Sequence, residues 1–292
     1  MLQYNPRSWF SLIFKFHRGD TLNVLWLGMI TVALYTAGMV YLERNIFQIT
    51  NSVVIHSLLG FVISLLLVFR TNTAYDRWWE GRIQWGNLST ATRSLSYKMH
   101  ALVPNGSEEE KKYIFVLISN FAFALKEHLR GHKSFLHFQE SEQFKIDSFQ
   151  GISHVPNKIL SLMYEEIIRL RNLNTIDSTQ LRILDIDIAQ LNNIASNCER
   201  IKATPIPPSY SMFLKKFIFI YILTLPFGFG EQLGYYLAPI VGFVFYVLLS
   251  LELIAESIED PFGNDTDDLP IDTIAHQIRK DTAEILDIGC GC

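Results

Sequence analysis

The segment Ser52–Phe69 is apolar apart from His56 and runs directly into Arg70-Thr71-Asn72-Thr73-Ala74-Tyr75-Asp76-Arg77-Trp78-Trp79-Glu80. No other feature constrains the fold as tightly. A lipid-buried helix cannot carry two arginines and two acids cheaply. A helix leaving the bilayer can, and Trp and Tyr suit the interface where it leaves. The junction therefore predicts one continuous helix that begins in lipid and ends in a cytosolic domain.

Three further stretches read as membrane spans. Thr21–Leu42 has no ionisable group other than Tyr and is about long enough to cross a bilayer. Ser209–Gly230 carries Lys215 and Lys216 near its start, where they can snorkel, and Gln232–Leu251 is free of charge. Gly228 and Gly230 are expected to mark the turn between these last two. The run after Arg7, Lys15 and Arg18 is too long for a signal-peptide core and lacks a cleavage site. Lys and Arg crowd the N-terminus, the region after Phe69 and the region before Phe217, whereas the hairpin links hold only Arg44. By the positive-inside rule both termini are cytoplasmic, and the expected setting is the inner membrane.

Only 18% of the residues are charged, below the roughly 25% of soluble domains. A net charge of −4 argues against a nucleic-acid partner. Cys198, Cys290 and Cys292 make no disulfide framework, and Cys290-Gly291-Cys292 is treated as a tail.

Phe69-Arg70-x-Asn72-x-x-Tyr75-Asp76-Arg77-Trp78-Trp79-Glu80 resembles the signature of the bestrophin family of ion channels in its bacterial form. Cys198-Glu199-Arg200-Ile201-Lys202-Ala203-Thr204-Pro205-Ile206-Pro207 and Ile258-Glu259-Asp260-Pro261-Phe262-Gly263-Asn264-Asp265 agree with it in order and spacing. The resemblance implies an all-α membrane protein with four transmembrane helices per subunit, a helical cytosolic domain and a pore formed by a homopentamer. It also implies that Phe61, Leu65 and Phe69, which share one helix face at i, i+4 and i+8, form a hydrophobic neck. Leu65 departs from the bulkier aromatic of animal members. A second constriction near the cytosolic exit is placed at Ile176. In animal bestrophins an acidic run contributes to a calcium clasp, and Asp265 and Asp268 match its two carboxylate positions, although Asn264 and Thr266 dilute the run here.

The expected organisation is a cytosolic segment (1–20), a transmembrane hairpin (21–71), a helical cytosolic domain (72–208), a second hairpin (209–255) and an acidic turn with a C-terminal helix (256–292). In the cytosolic part, Ser107 and Glu110 read as a capping box before the apolar run Tyr113–Leu125, which is short for a span and suits a buried core helix. Residues 131–153 read as a loop with a short helix. Val155–Leu173 reads as a helix opened by Pro156, and Leu181 to Lys202 as an amphipathic helix stopped by Pro205, Pro207 and Pro208.

Several groups invite a chemical role. Arg77, Trp78, Trp79 and Glu80 are read as interfacial anchors and Arg–acid pairs that hold subunits together. Tyr75, Trp78, Arg82 and Trp85 are read as a packing seam. His56 is the readily titrating residue of the second span, with hydration at its outer end as the plain explanation. His128 and His132 at i, i+4 offer two metal ligands if a third arrives, against a solvated helix end, with His137 nearby. Glu252, Glu256, Glu259, Asp260, Asp265, Asp267 and Asp268 form an acidic region that leans a pore towards cations and offers Asp265 and Asp268 to a metal such as calcium.

Passive conduction of monovalent ions is the expectation, leaning to sodium with anion selectivity open, among membrane lipids and with no required cofactor. The alternative is a membrane-embedded metal-dependent enzyme using the carboxylates of 252–268. A secondary transporter lacks support, since no inverted repeat or paired broken helix is visible.

Overall fold

The computed structural model describes residues 21–46, 53–103 and 108–288. Arg7, Lys15, Arg18, the cap expected at Ser107 and Cys290-Gly291-Cys292 lie outside the described residues. Within them the regular structure is helical, as expected: α1 (Thr21–Asn45), α2 (Val53–Leu102), α3 (Glu108–Arg130), α4 (Val155–Asn172), α5 (Ser178–Ala203), α6 (Pro208–Leu233), α7 (Leu237–Glu259) and α8 (Ile271–Ile285). The short helix expected in 131–153 is a single 3-10 turn, Ile146–Phe149. The continuous second helix is also present, since α2 runs for 50 residues through the lipid-to-charge junction without a break.

Among the described residues, three stretches have the length and hydropathy to cross a membrane: Thr21–Asn45, Val53–Leu102 and Ser178–Glu259. The third contains both α6 and α7, joined by the 3-10 turn Gly234–Tyr236. That turn corrects the expected one at Gly228 and Gly230. Both of those glycines are helical, and the chain reverses at Gly234, whose φ of 56° suits a residue without a Cβ. Gly228 and Gly230 are small for another reason. A Cβ at Gly228 would lie 2.6 Å from His56 Nδ1, and one at Gly230 would meet the Glu43 carboxylate.

The chain divides into two compact units. The first comprises α1, α2 as far as Trp78, α6, α7 and residues 265–268. The second comprises α2 from Trp79, α3, α4, α5, α8 and residues 261–264. The division falls within α2, at Trp78/Trp79, and α8 belongs to the second unit.

In the first unit, α1 packs against α7 and α6. Val40, Ile63, Leu67, Ile218, Ile222 and Val241 form its dry core. Backbone polar groups inside a membrane bundle need partners within the protein. Pro226, inside α6, has no N–H to donate. Just before it, Tyr35 Oη donates to the Leu223 carbonyl (3.0 Å) and His56 Nε2 to the Thr224 carbonyl (2.9 Å). His56 is thus buried against α6, with Phe229 edge-on to its ring, rather than explained by interfacial hydration.

In the second unit, α3 is the central element. Every side chain from Tyr113 to Leu125 is buried, and α4, α8 and α5 pack around it. This is the core helix expected, not a fifth span. Its polar members are provided for: Asn120 exchanges two hydrogen bonds with the Gln139 backbone, and Ser119 Oγ accepts from Arg279 Nε. Glu110 accepts from Arg169 Nη2 at 3.1 Å. The amphipathic α5 opens on a capping box that sequence reading missed. Asp177 Oδ1 accepts from the amides of Thr179 and Gln180, and Gln180 Oε1 accepts from the Asp177 amide. Replacing Asp177 by Ala should lower stability by about 1 kcal/mol. A fall in the thermal midpoint of the detergent-solubilised protein reads it, and an unchanged midpoint would show that the cap is dispensable.

Candidate ion-conducting site

Helix α2 carries two stripes. Ile63, Leu67, Arg70 and Ala74 are all buried and follow one another at helical spacing. Phe61, Leu65 and Phe69 lie on the other side and are 67%, 45% and 56% exposed. The predicted neck residues therefore share one face and are not used by the subunit's own packing.

Arg70 is 1% exposed, an expensive place for a cation unless it is paired. Helix α7 supplies the partners, Glu252 and Glu259, two turns apart on one face. Arg70 Nη2 sits 2.6 Å from Glu259 Oε2, and Nε 3.6 Å from Glu252 Oε2. Glu259 also accepts the Ile206 amide at 2.8 Å, so it fixes the chain entering α6. Its backbone carbonyl accepts from Arg77 Nε at 3.1 Å. Between the two glutamates, Glu256 pairs with Lys215 of α6 at 2.9 Å. The sequence reading named these carboxylates but not their cations.

The Arg77–Glu80 cluster makes contacts inside the subunit. Trp78 Nε1 donates to the Asp267 carbonyl (3.0 Å), and its ring stacks on Tyr75. In the second unit, Glu80 accepts from Gln84 Nε2 (2.7 Å) and Trp85 is fully buried. Trp79 is exposed.

Asp265 and Asp268 come together, but as a turn. Asp268 Oδ2 accepts the Asp265 amide at 2.5 Å, and the Asp268 amide donates to the Asp265 carbonyl. Burial pushes the Asp268 carboxyl up to about 6, against the opposing pull of that backbone hydrogen bond, with Asp265, Asp260 and Asp267 adding to the rise. Asp267 Oδ2 accepts from Ser257. Glu252 and Glu259 thus turn to Arg70, Glu256 to Lys215, Asp267 to Ser257 and Asp268 to the Asp265 amide. The metal-enzyme alternative has no support in this arrangement.

The family described as Bacterial/Fungal Bestrophin protein matches residues 1–284. The chain belongs to the bestrophin family. It is 32% identical over 293 residues to a voltage-dependent anion channel-forming protein of Nostoc sp., covering 97% of this chain and 93% of that protein. It is 30% identical over 234 residues to the voltage-dependent anion channel-forming protein YneE of Escherichia coli, covering 79% and 76%. The crystal structure of a bacterial bestrophin homologue from Klebsiella pneumoniae superposes with a TM-score of 0.83 at 25% identity, covering 91% of this chain and all of that one.

Two expectations change within this bestrophin fold. Ile176, proposed for the second constriction, is 2% exposed and turned into its own subunit, in the turn between α4 and α5 where Asn174 takes a positive φ of 55°. Leu173, 59% exposed, is the apolar side chain presented at that corner. His128 does not pair with His132. It meets His154 and Glu199, two residues that sequence spacing gave no reason to join to it. His137 stacks instead on Phe123 beside His276.

Replacing Arg70 by Met should cost about 3–5 kcal/mol by leaving buried carboxylates unpaired. Adding Glu252→Gln and Glu259→Gln should restore part of the loss, and a single variant as heat-stable as the parent would refute the pairing. The Asp268 carboxyl is raised above its ordinary 3.8, so its contribution favours the folded state most below that value and is lost as pH rises through about 6. The melting midpoint of the parent should therefore fall relative to Asp268→Asn over that window, and parallel curves would disprove it.

Proposed function

We propose that this chain is one subunit of a passive bestrophin-type ion channel, a homopentamer held in the inner membrane by four spans, α1, the first part of α2, α6 and α7. Both termini lie in the cytoplasm, as the Lys and Arg distribution favours. The observation that carries the reading is the stripe of Phe61, Leu65 and Phe69, apolar, aromatic-rich and unused by the subunit. Several α2 helices around an axis turn such a stripe into a neck that controls ions by dewetting. Membrane lipids cover the remaining apolar surface, with Trp79 at the interface. Leu173 and Ile176 mark the corner assigned to a second constriction.

Conduction in this reading needs no cofactor, and Asp265 and Asp268 serve as a turn rather than a calcium site. The sign of the permeant ion is not set by the neck, which has no formal charge. The cation preference expected from the acidic region finds no support: Glu252 and Glu259 face Arg70, Glu256 faces Lys215, and Asp268 is buried. Relatives named for anion channel formation favour anions, and anion permeation is the reading adopted.

The test is the reversal potential of the purified protein in a planar bilayer under a sodium chloride gradient. The expected shift is towards the chloride equilibrium potential, and a shift towards sodium would overturn the anion reading. The Phe61→Ala/Leu65→Ala/Phe69→Ala variant should raise unitary conductance several-fold with the oligomer intact. Unchanged conductance would remove these residues from the neck.

A further inference from the structure

We propose that His128, His154 and Glu199 form a binding site for a borderline divalent cation of the zinc class, in the second unit and apart from the conducting stripe. The three come from separate elements: the last turn of α3, the N-cap of α4 and the C-terminal part of α5. Their ligand atoms all lie within 4.8 Å of one another. Glu199 Oε1 is 2.7 Å from His154 Nε2 and 3.3 Å from His128 Nε2, and the two rings stand 4.2 Å apart between centroids.

Bonds of about 2.0–2.1 Å to a tetrahedral zinc ion put its ligand atoms roughly 3.3 Å apart. One edge already has that length, and another must open by only a fraction of an ångström. The donor set of two imidazoles and a carboxylate selects zinc-like ions over calcium or magnesium, which take oxygen. Three protein ligands leave a fourth position for water. The cluster lines an open pocket of about 300 Å³ with Leu129, Lys202 and Ala203, so a hydrated ion has a way in.

The proton inventory is compatible with loading. His154 Nδ1 accepts the Asn157 amide at 3.2 Å, so the neutral ring carries its hydrogen on Nε2 and gives it to Glu199. A cation on Nε2 moves that hydrogen to Nδ1 and costs the Asn157 amide its acceptor, but Asn157 is exposed and water replaces it. Lys202 opposes a cation on the pocket wall, and its Nζ is turned onto the Leu129 carbonyl.

The test uses the full chain with Cys290→Ser and Cys292→Ser, which removes terminal thiolates able to bind zinc on their own. Zinc is titrated against a chromophoric chelator, and cobalt(II) is used as a spectroscopic stand-in. The expected results are one zinc per subunit, affinity at least tenfold weaker in each of His128→Gln, His154→Gln and Glu199→Gln, and affinity several-fold tighter in Lys202→Gln. Cobalt should give intense visible bands of tetrahedral type, a readout on the unsubstituted site that needs no ligand variant to fold. Equal zinc binding by the parent and a folded His128→Gln/His154→Gln variant, or only weak octahedral cobalt bands, would overturn the proposal.

Discussion

The buried guanidinium of Arg70 is the constraint on which the first unit depends. It lies in the same stripe of α2 as Ile63, Leu67 and Ala74, so the face that meets the core is apolar at both ends and charged between them. Burying that stripe forces Glu252 and Glu259 of α7 to the same spot. Because Glu259 also takes the Ile206 amide, the entry to α6 is tied in as well. Rotation of α2 about its own axis is then fixed, since a turn that exposed Phe61 less would pull Arg70 off its partners. Residues 61 and 63 are about 200° apart around the helix axis. A buried Ile63 and Arg70 therefore place the Phe61–Leu65–Phe69 stripe on the opposite side. The apolar stripe is oriented by a charge it never touches.

A second device serves the same bundle. Pro226 removes a donor from α6, and Tyr35 and His56 come in from α1 and α2 to donate to carbonyls just ahead of it. His56 can approach only because Gly228 has no side chain. An intramembrane histidine, a proline inside a helix and a glycine two residues after it would each pass as an oddity in sequence. Together they are one packing arrangement, in which α6 carbonyls beside the proline take side-chain donors from within the protein.

What was legible in the sequence follows from the range of the interactions. The long apolar helices, the continuous α2 and the core helix α3 rest on local patterns of hydrophobicity and charge, and these elements are present. Helix α5 was legible by its three-and-four spacing, while its capping box was overlooked although Asp177 and Gln180 stand in the right register. Pairings across the chain were not legible: Arg70 with Glu259 across 189 positions, and His154 with Glu199 across 45. The corner at Ile176 failed for a finer reason. The turn passes through a left-handed residue, Asn174, with Leu173 exposed before it and Ile176 buried after it, and periodicity does not record such a turn.

The charge of the acidic region shows why counting residues misleads about a permeation path. Seven carboxylates between 252 and 268 look like a field that draws cations. In the folded chain three of them face Arg70 or Lys215, and burial favours the neutral form of a fourth, Asp268. Opposite charges within a few ångströms leave a dipole whose field decays faster than that of a lone ion, and salt screens the remainder beyond about 8 Å under physiological conditions. The sign felt by an ion at an apolar neck is then governed by charges without a close partner and by the desolvation that the neck demands. Conduction in such a pore is a balance between stripping water from an ion and holding the uncharged wall in register. In the channel proposed for this chain the paired charges act on the second of these.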